Sequence, residues 1–176
     1  MKTAILVDGA NNHGAIKSLG YVIDYREVLK YFKKGGEVLA WYYTALLTEP
    51  DGTNNLQELI DWLSYNGYTV VSKASKVFTD PLSGLTRVKG NMDIEIAVHA
   101  MQLSEYVDNI ILFTGDGDFR SLVIAIRLRG VRVTVVSTRT FCSDDLRRAA
   151  DKYIDLMELK PFIERKYNAK PTISRG

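Results

Sequence analysis

The stretch Thr3-Ala4-Ile5-Leu6-Val7-Asp8-Gly9-Ala10-Asn11-Asn12 decides the fold, because an apolar run of strand length stops at an acid and passes into a glycine- and asparagine-rich turn. The same design returns at Asn109 to Thr114, where an apolar run gives way to Gly115-Asp116-Gly117-Asp118. Further strand-length runs lie at Val38–Thr44, Tyr68–Ser72 and Val131–Ser137. They alternate with stretches of helical spacing at Val22–Lys33, Asn55–Tyr65, Met92–Tyr106, Asp118–Arg129 and Ser143–Lys152. Phe78 to Val88 contains Asp80-Pro81 and Ser83-Gly84 and reads as a turn or exposed loop. Tyr153 to Met157 reads as a last extended piece, and residues 159–176 as a basic tail with Pro161 and Pro171, flexible beyond a domain of residues 1–158. Strict alternation predicts an α/β fold: a parallel sheet with helices on both faces, because parallel neighbours need helix-sized crossovers. Such sheets bind ligands at the carboxyl ends of their strands, so the residues just after each strand carry the functional question.

Composition agrees with a globular domain. The 176 residues are 46% hydrophobic and 25% charged, with a formal net charge of +2. The single cysteine, Cys142, cannot form an internal disulfide and fits a reducing compartment, so the expectation is a cytoplasmic protein with an inert thiol. No apolar run approaches the ~18 residues of a membrane span, and the apolar run before Asp8 is too short for a signal peptide; neither secretion nor membrane insertion is expected. Charge is segregated: residues 1–119 balance to −5, residues 120–152 to +5 and residues 153–176 to +2. A cation-binding site beside a polyanion-binding surface has this arithmetic, as do unrelated solvated faces.

Four acids fall where the strand-end rule directs attention. Asp8 follows the first strand, Asp116 and Asp118 follow the fourth, and Asp93 opens the helix after Val88-Lys89-Gly90-Asn91. Carboxylates converging on one cleft repel one another unless a cation offsets them, and an oxygen-only ligand set suits Mg²⁺ or Mn²⁺. The glycines flanking Asp116 would let the backbone turn tightly and a ligand approach. Singly, each acid has a plainer reading: Asp118 as a helix cap bonding Arg120 or Ser121, Asp93 as a favourable charge at a helix N-terminus, Asn11 as a turn residue. Other templates fail. No phosphate-binding G-x-x-x-x-G-K-[ST] and no G-x-S-x-G occurs, the twelfth position of a calcium loop begun at Asp116 would be Arg127, and two histidines with one cysteine make a zinc cluster a poor fit.

The segments ILVDGANN at Ile5–Asn12, IDYREVLKYFKK at Ile23–Lys34, WYYTALL at Trp41–Leu47, DWLSYNGYTVVSK at Asp61–Lys73, VKGNMDIEIAV at Val88–Val98, LFTGDGDFRSLV at Leu112–Val123, GVRVTVVS at Gly130–Ser137 and SDDLRRAADKYIDL at Ser143–Leu156 resemble the NYN-domain family, the LabA-like branch of the PIN-like nucleases. The resemblance implies a three-layer PIN-like fold, a divalent-metal site and cleavage of RNA phosphodiester bonds, with the acidic positions falling on Asp8, Asp93, Asp116 and Asp118 and the first-turn asparagine on Asn11. At His99 the chain departs from the family pattern, in which an acid is common. His99 lies about 240° from Asp93 around the helix, on the polar side with Glu95, Gln102 and Tyr106, and reads as a surface or supporting residue rather than a metal ligand.

The expected mechanism is activation of water by one or two Mg²⁺ or Mn²⁺ ions held by the four acids. Asn11 and Thr114 would orient waters or a phosphate oxygen, and Lys89, Arg120, Arg147 and Arg148 would track the backbone of single-stranded RNA. Trp41, Tyr42 and Tyr43 lie in a strand run and read as core. A catalytically weak or inactive RNA-binding or regulatory protein on the same fold is the chief rival, and a metal-dependent phosphatase is a third reading. An exposed sheet edge or the tail would permit a homodimer.

Overall fold

The computed structural model describes residues 1–46 and 56–166. The first strand, β1 (Lys2–Asp8), is central to the molecule: Ala4, Ile5, Leu6 and Val7 are all fully buried, because apolar layers cover both faces of the strand. It pairs in parallel with β2 (Glu37–Leu46) on one side, with Asp8 opposite Tyr43. On the other side it pairs with β6 (Asn109–Phe113), with Val7 opposite Phe113. The parallel sheet continues through β3 (Thr69–Ala74) beyond β2, and through β7 (Arg132–Ser137) and β8 (Lys152–Asp155) beyond β6, giving the order β3-β2-β1-β6-β7-β8. The chain thus runs outward from β1 to β3, returns to the centre and runs outward the other way. The crevice between the ends of β1 and β6 is the switch point at which such sheets bind ligands.

Helices pack on both faces. Ile5 and Val7 point into a layer with α1 (Gly9–Leu19), α2 (Tyr25–Lys33), α3 (Gln57–Tyr65) and α7 (Leu156–Ile163), through Ala15, Val28, Leu63 and Leu159. Ala4 and Leu6 point into the opposite layer with α4 (Asp93–Leu103), α5 (Arg120–Leu128) and α6 (Asp144–Ala149), through Ile96, Val123, Ile126 and Leu146. The three-layer α/β architecture is the one expected.

Several local expectations change. Gly9 to Leu19 is a helix, although two glycines and two asparagines make it a poor helix former. It forms because the Asp8 carboxylate caps it by accepting the Asn11 N–H at 3.3 Å, and because Gly9 lies so close to β2 that a Cβ would sit 2.6 Å from the Tyr43 carbonyl oxygen. Consequently the helix expected from Val22 starts only at Tyr25, with Asp24 as its cap. The expected loop at 78–88 is an antiparallel hairpin, β4 (Lys76–Thr79) with β5 (Thr86–Lys89), and the Pro81 and Gly84 signals mark only its turn. The helix expected over Ser143–Lys152 shortens to α6, and Lys152 begins β8. The boundary expected at residue 158 falls inside α7, which Asp155 caps and whose Leu159 and Ile163 are buried; the tail residues 167–176 lie outside the described residues. Among the described residues no helix is long and apolar enough to cross a membrane.

Candidate active site

The ends of β1, β2 and β6 and the start of α4 enclose a cleft of about 260 Å³ lined by Asp8, Asn11, Thr44, Asn91, Asp93 and Asp116 among others. Two of these carboxylates, those of Asp93 and Asp116, meet a third, that of Asp118. Oxygen atoms of Asp93, Asp116 and Asp118 all lie within 4.8 Å of one another, a spacing that one cation can bridge. Each comes from a different local cause. Asp93 sits in the first turn of α4, where the Asn91 side-chain amide donates to its Oδ2 at 2.7 Å. Asp116 caps the short 3-10 turn Gly117–Phe119 by accepting the Asp118 N–H at 2.9 Å. The cap expected of Asp118 is therefore made by Asp116, and the Asp118 side chain is left exposed toward the cluster.

Asp8 stands beside this trio rather than in it. Its Oδ2 accepts the Thr114 hydroxyl at 3.0 Å and its Oδ1 accepts the Asn11 N–H. Burial pushes its carboxyl above the usual range, and the Asp116 charge adds to this, while the Asn11 N–H and the Thr114 hydroxyl pull it back. Asp93 is raised by burial first and then by the charges of Asp8, Asp116 and Asp118, with Lys73 opposing. The four acids share one electrostatic site, in which like charges oppose one another.

Two uncharged members brace the acids. Thr114, expected to orient a ligand, is buried; besides bonding Asp8, its oxygen accepts the Asp116 N–H at 3.2 Å, so one hydroxyl sets two of the acids. The Asn11 amide oxygen accepts the Gly115 N–H at 2.8 Å and ties the β1 turn to the β6 turn. The chain turns tightly here, in the 3-10 turn Gly117–Phe119, without left-handed backbone at Gly115 or Gly117. Their missing side chains make room for the segment after β7: a Cβ on Gly115 would overlap the Phe141 carbonyl, and one on Gly117 would lie 2.9 Å from the Ser143 hydroxyl.

The expected cationic track is less available than its sequence suggests. Arg147 and Arg148 are tied to acids of their own helix, Asp144 and Asp145, at 2.7 and 2.6 Å. Arg120 is exposed two residues after Asp118, and the Lys89 side chain lies outside the described residues. His99 accepts or donates at 3.1 Å to the Tyr43 hydroxyl through Nδ1 and borders a different pocket, with Trp41 and Tyr106, away from the acids. Trp41, Tyr42 and Tyr43 do pack into the core. Sequence reading missed Thr44 and Ala45 on the cleft wall, although both lie at the end of β2 and the strand-end rule points to them. It also missed Lys73, at the end of β3, whose ammonium bonds both oxygens of Glu95 at 2.8 and 3.0 Å.

Comparison with known proteins agrees with this fold. The NYN domain profile matches residues 2–159. The chain is 36% identical over 177 residues to the Low amplitude and bright protein LabA of Synechococcus elongatus, covering 98% of this chain and 93% of that one. Its fold is similar to the crystal structure of a Vibrio parahaemolyticus protein of unknown function, with a TM-score of 0.73 and 27% identity over 92% of this chain and 95% of the other.

Proposed function

The chain belongs to the NYN domain family, a PIN-like, nuclease-type α/β domain, and from that premise we propose that it is a divalent-metal-dependent ribonuclease acting on single-stranded RNA. The observation that carries the proposal is the trio Asp93, Asp116 and Asp118, gathered within 4.8 Å at the switch-point cleft with Asp8 alongside. The residues fit a hard cation. All donors are carboxylate oxygens, and the repulsion that lifts the Asp93 carboxyl is the repulsion a bound ion removes. Asp93, Asp116 and Asp118 would hold Mg²⁺ or Mn²⁺, with Asp8 completing the negative field. Such an ion, when bound, supplies Lewis-acid polarisation of the phosphate and a more acidic water.

The chain's own groups set the stage. Thr114 fixes the Asp8 carboxylate and the Asp116 backbone together, and Asn11 locks the two strand-end turns so that the acids face one space. The Asn11 amide nitrogen has no hydrogen-bond partner among the described residues, and from the cleft wall it would donate to a phosphate oxygen. Arg120, exposed two residues after Asp118, would meet the adjoining phosphate, since Arg147 and Arg148 would first have to leave their acids.

One observation favours RNA binding without cleavage as a second reading. His99, where the family resemblance leads one to expect an acid, is engaged with Tyr43 and adds no carboxylate to the cluster. Calorimetric titration of Mn²⁺ into the parent and Asp93→Asn proteins separates the readings at their first step: the proposal expects saturable binding in the parent and a loss of at least about tenfold in the variant, and no binding in either would sink the metal site.

A further inference from the structure

A second cavity lies on the α1–α3 face, beyond α1 from the acidic cleft. Its volume is about 460 Å³, within the range of small-molecule sites. Ile16, Val22, Ile23 and Leu59 and the rings of Tyr21 and Tyr42 form its walls, and no acid lines it. The Tyr21 hydroxyl is already donated to the Leu156 carbonyl at 2.8 Å, so that residue offers the cavity its ring.

Three cationic or potentially cationic side chains, His13, Lys17 and Arg165, stand at the rim, and none has an ion pair or side-chain hydrogen bond among the described residues. Arg147 and Arg148, by contrast, are tied to acids. Arg165 is held in place by its backbone: its N–H donates to the Val22 carbonyl at 2.7 Å, next to the bridge of Ile23 with Glu164. The nearby carboxylates are engaged elsewhere, Asp155 as the cap of α7 and Glu164 with Lys160. An apolar, ring-walled space under unpaired cations complements a planar ring that carries an anion. Asn11 lines the acidic cleft and Lys17 this cavity, and the six helical steps from one to the other span only about 9 Å of helix axis.

We propose that this cavity holds one nucleotide of an RNA strand that also occupies the acidic cleft, with the base among Ile16, Val22 and Tyr21 and its phosphate at Lys17 and Arg165. The inference rests on the reading of the chain as RNA-acting but not on cleavage. The test therefore measures binding of a fluorescein-labelled single-stranded oligonucleotide in EDTA, in an Asp116→Asn background, at salt from about 50 to 200 mM.

Lys17→Ala with Arg165→Ala should weaken binding several-fold and flatten the log–log salt slope by about 0.7 for each phosphate left without its cation. Val22→Trp, which fills the space from its exposed rim, should weaken binding and leave the slope in place. Lys33→Ala with Lys34→Ala removes the same charge from the end of α2 and should leave both quantities unchanged. Equal losses in this control, or an unchanged slope in the Lys17 and Arg165 variant, would overturn the proposal. So would weaker binding of a free mononucleotide, with oligonucleotide binding unchanged, in these variants. If the parent cuts no RNA in Mn²⁺ yet the slope flattens as expected, the ribonuclease reading fails and the nucleotide site stands.

Discussion

Replacing Asp116 by Asn should raise the melting temperature of the metal-free protein at about pH 7 by roughly 4–8 °C, the shift that about 2 kcal/mol produces in a chain of this size. The figure follows from the cluster's geometry. Oxygen atoms of Asp93, Asp116 and Asp118 lie within 4.8 Å of one another. At that separation two unit charges repel by about 0.9 kcal/mol in bulk water and about 3.5 kcal/mol at an effective dielectric of 20. Because Asp118 is exposed, solvent screening favours the lower figure, and Asp116 takes part in two such pairs, which gives about 2 kcal/mol. The substitution keeps the local structure, since the Asn oxygen can still accept the Asp118 N–H that caps the 3-10 turn. Saturating Mn²⁺ should reverse the order, stabilising the parent by about 2.7 kcal/mol at a hundredfold excess over Kd and the variant by less. Thermal melts in EDTA and in Mn²⁺ make the comparison. A variant no more stable than the parent in EDTA would refute the claim that these carboxylates strain the metal-free fold.

Other consequences can be checked alongside. Thr114→Val keeps the shape but strands the Asp8 oxygen and the Asp116 N–H; chemical denaturation should show a loss of roughly 2–4 kcal/mol, and Thr114→Ser should recover most of it. Gly115→Ala drives a Cβ into the Phe141 carbonyl, which is backbone and cannot swing away, so a loss of about 2–3 kcal/mol is expected in the same assay. The pH dependence has a definite sign. Asp8 and Asp93 have carboxyls raised above their unfolded values, so the native state binds more protons than the unfolded chain between the two values, and their contribution to metal-free stability grows as pH falls from neutral into that window. Asp93→Asn should lose part of that gain, seen as a smaller rise in melting temperature as pH falls from neutral toward the ordinary carboxylate range; an identical rise would contradict the coupling.

Much of the fold was legible because β1 and β6 are apolar runs ended by acids, and helical spacing between them forces a parallel sheet. What stayed hidden has physical causes. The propensities of Gly9 to Gly14 argue against α1, which exists because Asp8 caps it and β2 receives it closely. Pro161 reads as a breaker, yet α7 carries it while burying Leu156, Leu159 and Ile163. The acids announced the site by their positions, but the division of labour among them did not show. Thr114 and Asn11 drew attention because they end a strand and a turn; that they also brace the acids shows only in the long-range bonds across β1 and β6. Likewise the charge excess of residues 120–152 suggested an RNA track, whereas Arg147 and Arg148 are neutralised by Asp144 and Asp145 a turn away.

Whether the four acids make a metal-dependent ribonuclease is decided by incubating purified protein with end-labelled single-stranded RNA in Mn²⁺ or in EDTA, beside the Asp93→Asn and Asp116→Asn variants. Fragments are expected from the parent in Mn²⁺ alone, reduced by at least about a hundredfold in each variant, as follows when a charged metal ligand is removed. Cleavage that persists in EDTA, or at parental rate in both variants, would contradict the assignment.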